Sequence, residues 1–236
     1  MRFIREENYE KVSEVLAEFP GYVNITLGDG TFPLMESTKV GNLKIVQLLL
    51  SKGADPNQAT TTEGCRTALL YAIWQEHDAI FTLLLDNGAN LECVDRNENN
   101  VLHELGLSSK PRQHIAKFIV EKAPQLLFKF NSWGVLPIHY VCYKSLDILK
   151  LYLGNGVDIN TKTKRSSVIK IGTFVDVKFE QGDTILHAVS GKGKIPFVRF
   201  LIKHNADPKI LNSLSQTPAQ LARDKGFPLI GDMLVL

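Results

Sequence analysis

Gly41-Asn-Leu-Lys-Ile-Val-Gln-Leu-Leu-Leu-Ser-Lys-Gly-Ala-Asp-Pro-Asn57 is one amphipathic helix followed by its stop signal. Ile45, Val46, Leu48, Leu49 and Leu50 recur at three- and four-residue spacing and gather on one apolar stripe, while Lys44, Gln47 and Ser51 face away. Gly53 ends the helix, because glycine enters the left-handed conformation without a Cβ clash, and Asp55-Pro56-Asn57 supplies turn chemistry directly after it. The pattern returns in Asp78–Asn90, Leu146–Asn160 and Ile195–Pro208. A chain that repeats one helix and one stop builds a stack, in which each unit buries its stripe against its neighbours.

With 236 residues, 44% of them hydrophobic and 22% charged, the composition is that of an ordinary folded chain rather than a disordered one. The opening Met-Arg-Phe-Ile-Arg-Glu-Glu7 is no signal peptide, and no stretch approaches the ~20 apolar residues of a membrane span. A cytoplasmic protein is therefore expected. Cys65, Cys93 and Cys142, odd in number and widely spaced, form neither a disulfide framework nor a zinc pattern, and are expected as reduced thiols. The net charge of +2 hides an asymmetry, since residues 1–100 carry 8 Lys and Arg against 15 Asp and Glu, and residues 101–236 carry 19 against 10. In an elongated stack, that split becomes an axial dipole able to orient a partner.

Upstream of each outer helix lies a second repeated element, a four-residue opening of an inner helix. Its copies are Phe32-Pro-Leu-Met35, Thr67-Ala-Leu-Leu70, Asn100-Val-Leu-His103, Leu136-Pro-Ile-His139, Thr184-Ile-Leu-His187 and Thr217-Pro-Ala-Gln220, with second residues 35, 33, 36, 48 and 33 positions apart. Thr at the first place caps the helix, and Pro at the second loses nothing, because its missing N–H is an orphan there anyway. These openings resemble the Thr-Pro-Leu-His signature of ankyrin repeats, whose period is about 33 residues. The resemblance implies an all-α ankyrin-repeat solenoid of helix–turn–helix repeats with β-turn fingers. It also implies that His103, His139 and His187 tie neighbouring turns together by hydrogen bonds, a role that Met35, Leu70 and Gln220 do not match.

The expected organisation is a single solenoid over 1–236, with an N-terminal half-repeat cap (1–28), repeat 1 (29–62) and repeat 2 (63–94). An irregular repeat 3 (95–130), repeat 4 (131–161), a basic hairpin-like insertion (162–180), repeat 5 (181–211) and a C-terminal capping repeat (212–236) follow. The cap reads as an outer helix without an inner partner, its stripe made of Val12, Val15, Leu16 and Phe19. In repeat 3, Leu105–Arg112 replaces the usual tight turn, and Ile115, Phe118 and Ile119 build the outer helix. The insertion holds about fifteen residues more than the period requires. Val168, Ile169 and Ile171 precede Gly172-Thr173, and Phe174, Val175, Val177 and Phe179 follow it, the alternation of a β-hairpin.

No catalytic group, metal pattern or cofactor motif assembles. His77, His114 and His204 fall on outer-helix ends, no His-Glu-x-x-His or paired-Cys spacing exists, and Ser190-Gly-Lys-Gly-Lys194 lacks the spacing and hydroxyl of a phosphate loop. The chain is therefore expected to be a non-enzymatic module that binds another protein, as a monomer. In the ankyrin family partners commonly meet the concave face of finger tips and inner helices. Carried over, that face comprises Arg66, Arg96, Asn97, Asn99, Trp133, Val135, Gln181 and Asp183 at the fingers, with Trp74, Gln75, Leu107, Tyr143, Lys144 and Lys192 on the inner helices. Trp74, Trp133 and Tyr143 form its centre, since exposed aromatic side chains dominate interfaces. The alternative is a regulator or targeting subunit of an enzyme that docks through the insertion, by Lys164, Arg165, Lys170, Phe174 and Lys178. The degenerate repeats also resemble those of ankyrin proteins that intracellular bacteria deliver into a host cytosol. Basic residues alternating along 162–178 could track phosphates, yet the chain is nearly neutral overall and carries no nucleic-acid fold signature.

Overall fold

The computed structural model of the protein describes residues 1–61, 64–171 and 175–235. They form two compact units, Met1–Lys110 and Pro111–Leu236. The division falls inside the stretch Leu105–Arg112, where the regular helix-to-helix turn is lost.

The first unit holds helices α1 (Arg2–Arg5), α2 (Tyr9–Glu18), α3 (Pro33–Val40), α4 (Leu43–Ser51), α5 (Ala68–Trp74), α6 (Asp78–Asp86) and α7 (Val101–Leu107). The second holds α8 (Gln113–Lys122), α9 (Pro137–Val141), α10 (Leu146–Gly154), strands β1 (Ser167–Ile171) and β2 (Val175–Phe179), then α11 (Ile185–Ser190), α12 (Ile195–Lys203), α13 (Pro218–Asp224) and α14 (Pro228–Met233). In α4 the stripe lies as its period dictates: Ile45, Val46, Leu48 and Leu49 are buried, each contributing about 1.5–3 kcal/mol. Lys44, Gln47 and Ser51 are exposed, and Gly53 takes φ +86° just past the helix. Leu50, expected on the stripe, is only half-buried. Inner helices differ in kind. All six residues Ala68–Ile73 of α5 are buried, because α3 and α7 cover it on opposite sides.

The openings start these helices as capping chemistry requires. Thr67, Asn100, Thr184 and Thr217 accept with their side chains the N–H three residues on, at 3.2–3.5 Å. His103, His139 and His187 bond in the reverse direction, each Nδ1 accepting the N–H of its own first-place residue at 3.1–3.3 Å. Gln220, which departs from the motif, does the same through Oε1 at 2.8 Å. The implied tie between neighbouring turns is present at His187, whose Nε2 lies 3.1 Å from the Gln216 carbonyl.

Between helix pairs the chain makes fingers of one design. The first residue's N–H bonds the fifth residue's carbonyl in Leu27–Thr31, Asp95–Asn99, Asn131–Val135 and Asn212–Gln216, at 2.9–3.1 Å. The fourth residue is left-handed in each (Gly30, Glu98, Gly134, Ser215). Asp95, Asn131 and Asn212 hold the loop by accepting the N–H groups two and four positions on, at 2.8–3.1 Å. On the opposite margin Asn57 bridges to the next loop, donating to the Gly88 carbonyl (3.0 Å) and accepting from the Asn90 N–H (2.7 Å). Asn24 makes the same pair of bonds to Gly53 and Asp55, at 3.0 and 2.8 Å.

The insertion is an opened finger. Thr163 N–H still reaches the Asp183 carbonyl at 2.9 Å, Gly182 is still left-handed, and the antiparallel hairpin fills the interval, with Val168 opposite Lys178 and Ile169 opposite Val177. Phe179 anchors its root, buried edge-on against His139 (5.9 Å) and Tyr140 (6.2 Å).

Besides Leu50, Phe19 departs from its expected place on the stripe of the cap, being 44% exposed at the end of α2, and two further expectations need correction. The N-terminal cap does have an inner partner, the one-turn helix α1, whose Ile4 is buried against the neighbouring inner helix. Phe118 is not on the α8 stripe but 37% exposed; Ile115, Ala116, Ile119 and Val120 form the buried face, and position 118 lies roughly 100° from each neighbour around the helix.

Candidate partner-binding surfaces

In the first unit the finger residue Arg66 and the inner helices α5 and α7 build an aromatic platform. Trp74 ends α5 and is 44% exposed. The Arg66 guanidinium lies over its ring at 5.2 Å and over Tyr71 at 5.9 Å, a stacking favoured by the negative ring faces. From below, Glu104 Oε1 accepts from Arg66 Nη2 at 2.8 Å, with Asp95 on the same nitrogen at 3.7 Å. Glu104 is fully buried, its Oε2 makes no hydrogen bond among the described residues, and burial lifts its carboxyl to about 7 against the pull of Arg66. Arg66 is thus committed inside the protein, with only 19% of its side chain exposed, and acts as the clamp that fixes Trp74.

In the second unit a cleft of about 360 Å³ opens between the root of the hairpin and helices α11 and α13. Phe179, Ala188, Leu214 and Leu221 give it apolar walls. Its carboxylates are engaged: Glu180 with Lys178 (2.7 Å) and the Ser166 hydroxyl (2.9 Å), Asp183 with the Glu180 N–H (2.8 Å) and Asn212 (2.9 Å), and Asp224 with Gln216 Nε2 (2.6 Å). Burial pushes the Tyr143 phenol up, so it stays a neutral donor, and its hydroxyl is buried without a hydrogen-bond partner among the described residues.

Residues 1–95 match the family model of ankyrin repeats in three copies, and residues 181–213 match that of a single ankyrin repeat. The chain belongs to the ankyrin-repeat family. It is similar to ankyrin repeat and SAM domain-containing protein 6 of Rattus norvegicus, 31% identical over 119 residues, or 50% of this chain. It is also similar to phosphocholine transferase AnkX of Legionella pneumophila, 24% identical over 168 residues, or 71% of this chain. The matched segments span 13% and 16% of those two relatives. The crystal structure of the ankyrin repeat domain of Bcl-3 shares the fold with a TM-score of 0.71 at 22% identity, over 97% of this chain and 95% of that one. The fold is the ankyrin-repeat solenoid, a scaffold that serves generally as a protein–protein interaction module. No described helix is long and apolar enough to cross a membrane.

Within these ankyrin repeats the expected contact residues divide by burial. Trp74, Gln75, Arg96, Gln181 and Lys192 are exposed, and Asn97, Leu107, Trp133, Tyr143 and Lys144 are half-buried. Asn99, Val135 and Asp183, expected at finger tips, are buried. They are the fifth residues of their fingers, where the chain turns inward to enter the next inner helix. Arg96 is partly used, donating to the Thr61 carbonyl at 3.2 Å. Cations at the insertion's base are also occupied internally: Lys164 lies 3.8 Å from the Phe130 ring centre, Arg165 donates to the Ser132 carbonyl at 3.2 Å, and Lys178 pairs with Glu180. Lys170 belongs to β1 and faces Asp176 in register; Phe174 lies outside the described residues. Glu104 and the Asn24 and Asn57 bridges escaped the sequence reading. Asn57 carried a usable signal, its fixed place after Gly-Ala-Asp, whereas Glu104 sits 38 residues from its partner Arg66.

Proposed function

We propose that the chain is a non-enzymatic protein-binding module that receives a protein partner on the face formed by its fingers and inner helices. With it goes the organisation into an N-terminal cap, five repeats and a C-terminal capping repeat bounded at 212–236. One observation carries the reading: Trp74 stands in solvent on a rigid inner helix while its orientation is fixed from beneath by the Arg66–Glu104 pair. An exposed tryptophan held in one geometry offers large apolar area at little entropic cost, which is what interface hot spots do. The histidines of the openings support the non-enzymatic reading. Each accepts a backbone N–H through Nδ1, and burial holds His139 down to about 4, leaving it neutral and engaged in folding. The free thiols of Cys65, Cys93 and Cys142 suit a reducing cytosol.

The test is affinity capture followed by titration of the captured partner against wild type and Trp74→Ala, with circular dichroism confirming the fold. We expect the affinity to fall by about 30-fold, the loss of a central hot spot of ~2 kcal/mol. Unchanged affinity in a folded variant refutes the platform.

A further inference from the structure

The cleft in the second unit has an asymmetry of hydrogen-bonding capacity. All three of its carboxylates are satisfied within the protein. Its donors are not: Lys192 and Lys225 line it without a hydrogen bond or ion pair among the described residues, Lys225 acting only at longer range through its charge on Glu180, and the buried Tyr143 hydroxyl has no partner there either. One acceptor is also unspent, the buried Gln216 Oε1. The walls between these groups are apolar, and Leu214, 56% exposed, stands at the side of the cleft. The charged side chains of the lining are balanced, Lys178, Lys192 and Lys225 against Glu180, Asp183 and Asp224, while the unit around it has a positive excess, residues 111–236 carrying 18 Lys and Arg against 9 Asp and Glu. A volume of about 360 Å³ lies near the lower end of the ~300–1,000 Å³ of ligand pockets. It has room for a short stretch of chain and none for a folded surface.

Resting on the protein-binding reading above, we propose that this cleft recognises an extended acidic segment of the partner, an Asp or Glu beside a bulky apolar residue. The carboxylate meets the uncommitted ammonium groups of Lys192 and Lys225 with the Tyr143 hydroxyl as further donor. The apolar side chain lies on Phe179, Leu214 and Leu221, and a backbone N–H of the segment fills Gln216 Oε1. Each contact uses a group that the folded protein leaves unspent, so binding removes unpaired polar atoms instead of creating them. The unit's positive excess speeds encounter with such a segment and disfavours basic ones.

The intact chain is panned against a phage-displayed random dodecapeptide library, and the enriched peptides are titrated by fluorescence anisotropy. We expect enrichment of Asp or Glu next to Leu, Ile or Phe, and an affinity that falls as NaCl rises from about 50 to about 300 mM. Lys192→Ala/Lys225→Ala should weaken binding by at least about tenfold, and so should replacing the peptide's carboxylate by its amide. Tyr143→Phe, which removes one hydroxyl and keeps the packing, should weaken it by about threefold or more. Lys203→Ala, which removes an exposed lysine of α12 outside the cleft, should leave peptide affinity unchanged. Enriched peptides without acidic residues, equal affinity for the lysine variant, or no enrichment at all would overturn the proposal. Peptides lost on Trp74→Ala but indifferent to the lysines would overturn the cleft while sustaining the protein-binding reading.

Discussion

Replacing Glu104 by glutamine should make the first unit more stable at high pH, although the change removes a buried ion pair. Glu104 is wholly enclosed, and the groups that face it are Arg66 at 2.8 Å, Asp95 on the same guanidinium, and the Cys93 thiol. Burial outweighs the attraction of Arg66 and lifts the carboxyl from 4.5 to about 7. The folded protein therefore keeps a proton that the unfolded chain has lost between these two values. By linkage, unfolding free energy falls as pH rises through that window and is level above it. A rise of this size corresponds to about 3 kcal/mol. The amide introduced by Glu104→Gln would still accept from Arg66 and has no charge to desolvate, so the stability of the variant should lack this decline. Urea unfolding at about pH 5 and about pH 8, followed by Trp74 fluorescence with Trp133→Phe in both chains, isolates the first unit. The readout is the difference between the two pH slopes, which cancels every other titrating group. Equal slopes, or a glutamine variant less stable than wild type at pH 8, would refute the assignment of burial as the dominant effect.

Gly41 and Gly53 are both left-handed, at φ +83° and +86°, but a Cβ at Gly41 would lie 2.6 Å from the His77 ring, whereas one at Gly53 meets nothing within 4 Å. Gly53→Ala should cost about 1 kcal/mol of backbone strain and Gly41→Ala distinctly more, read as the difference in their thermal midpoints. Asn57→Ala removes both bonds to the next loop and should cost about 1–2 kcal/mol in urea unfolding, while Lys52→Ala, at an exposed position near it, should cost less than that.

Much of the fold was legible because its information is local. The α4 stripe, its glycine stop, the Thr caps and the alternating insertion each lie within a few residues of the structure they specify. The four-residue helix α1 escaped because one turn is too short to show a period. Phe118 was misplaced for a related reason: between Ile115 and Ile119 several phases fit, and only the packing of α8 selects one. For the surfaces, Trp74 was legible as an aromatic on an inner-helix position left open. The commitment of Arg66 to Glu104 was not, since it joins residues 38 positions apart, and the burial of Asn99, Val135 and Asp183 depends on the five-residue register of the fingers.

Repeat period, helix pairing and the site of the insertion were therefore determined by the sequence itself, through caps, periodicity and glycine conformation that act over one turn or less. Tertiary structure alone decided which polar and aromatic groups remain available to a partner. Availability is what is left after each neighbouring repeat has taken its hydrogen bonds and covered its surface. That is why Arg66 became a clamp, Lys164 and Lys178 became braces, and Lys192, Lys225 and the Tyr143 hydroxyl kept hydrogen-bonding capacity to spare.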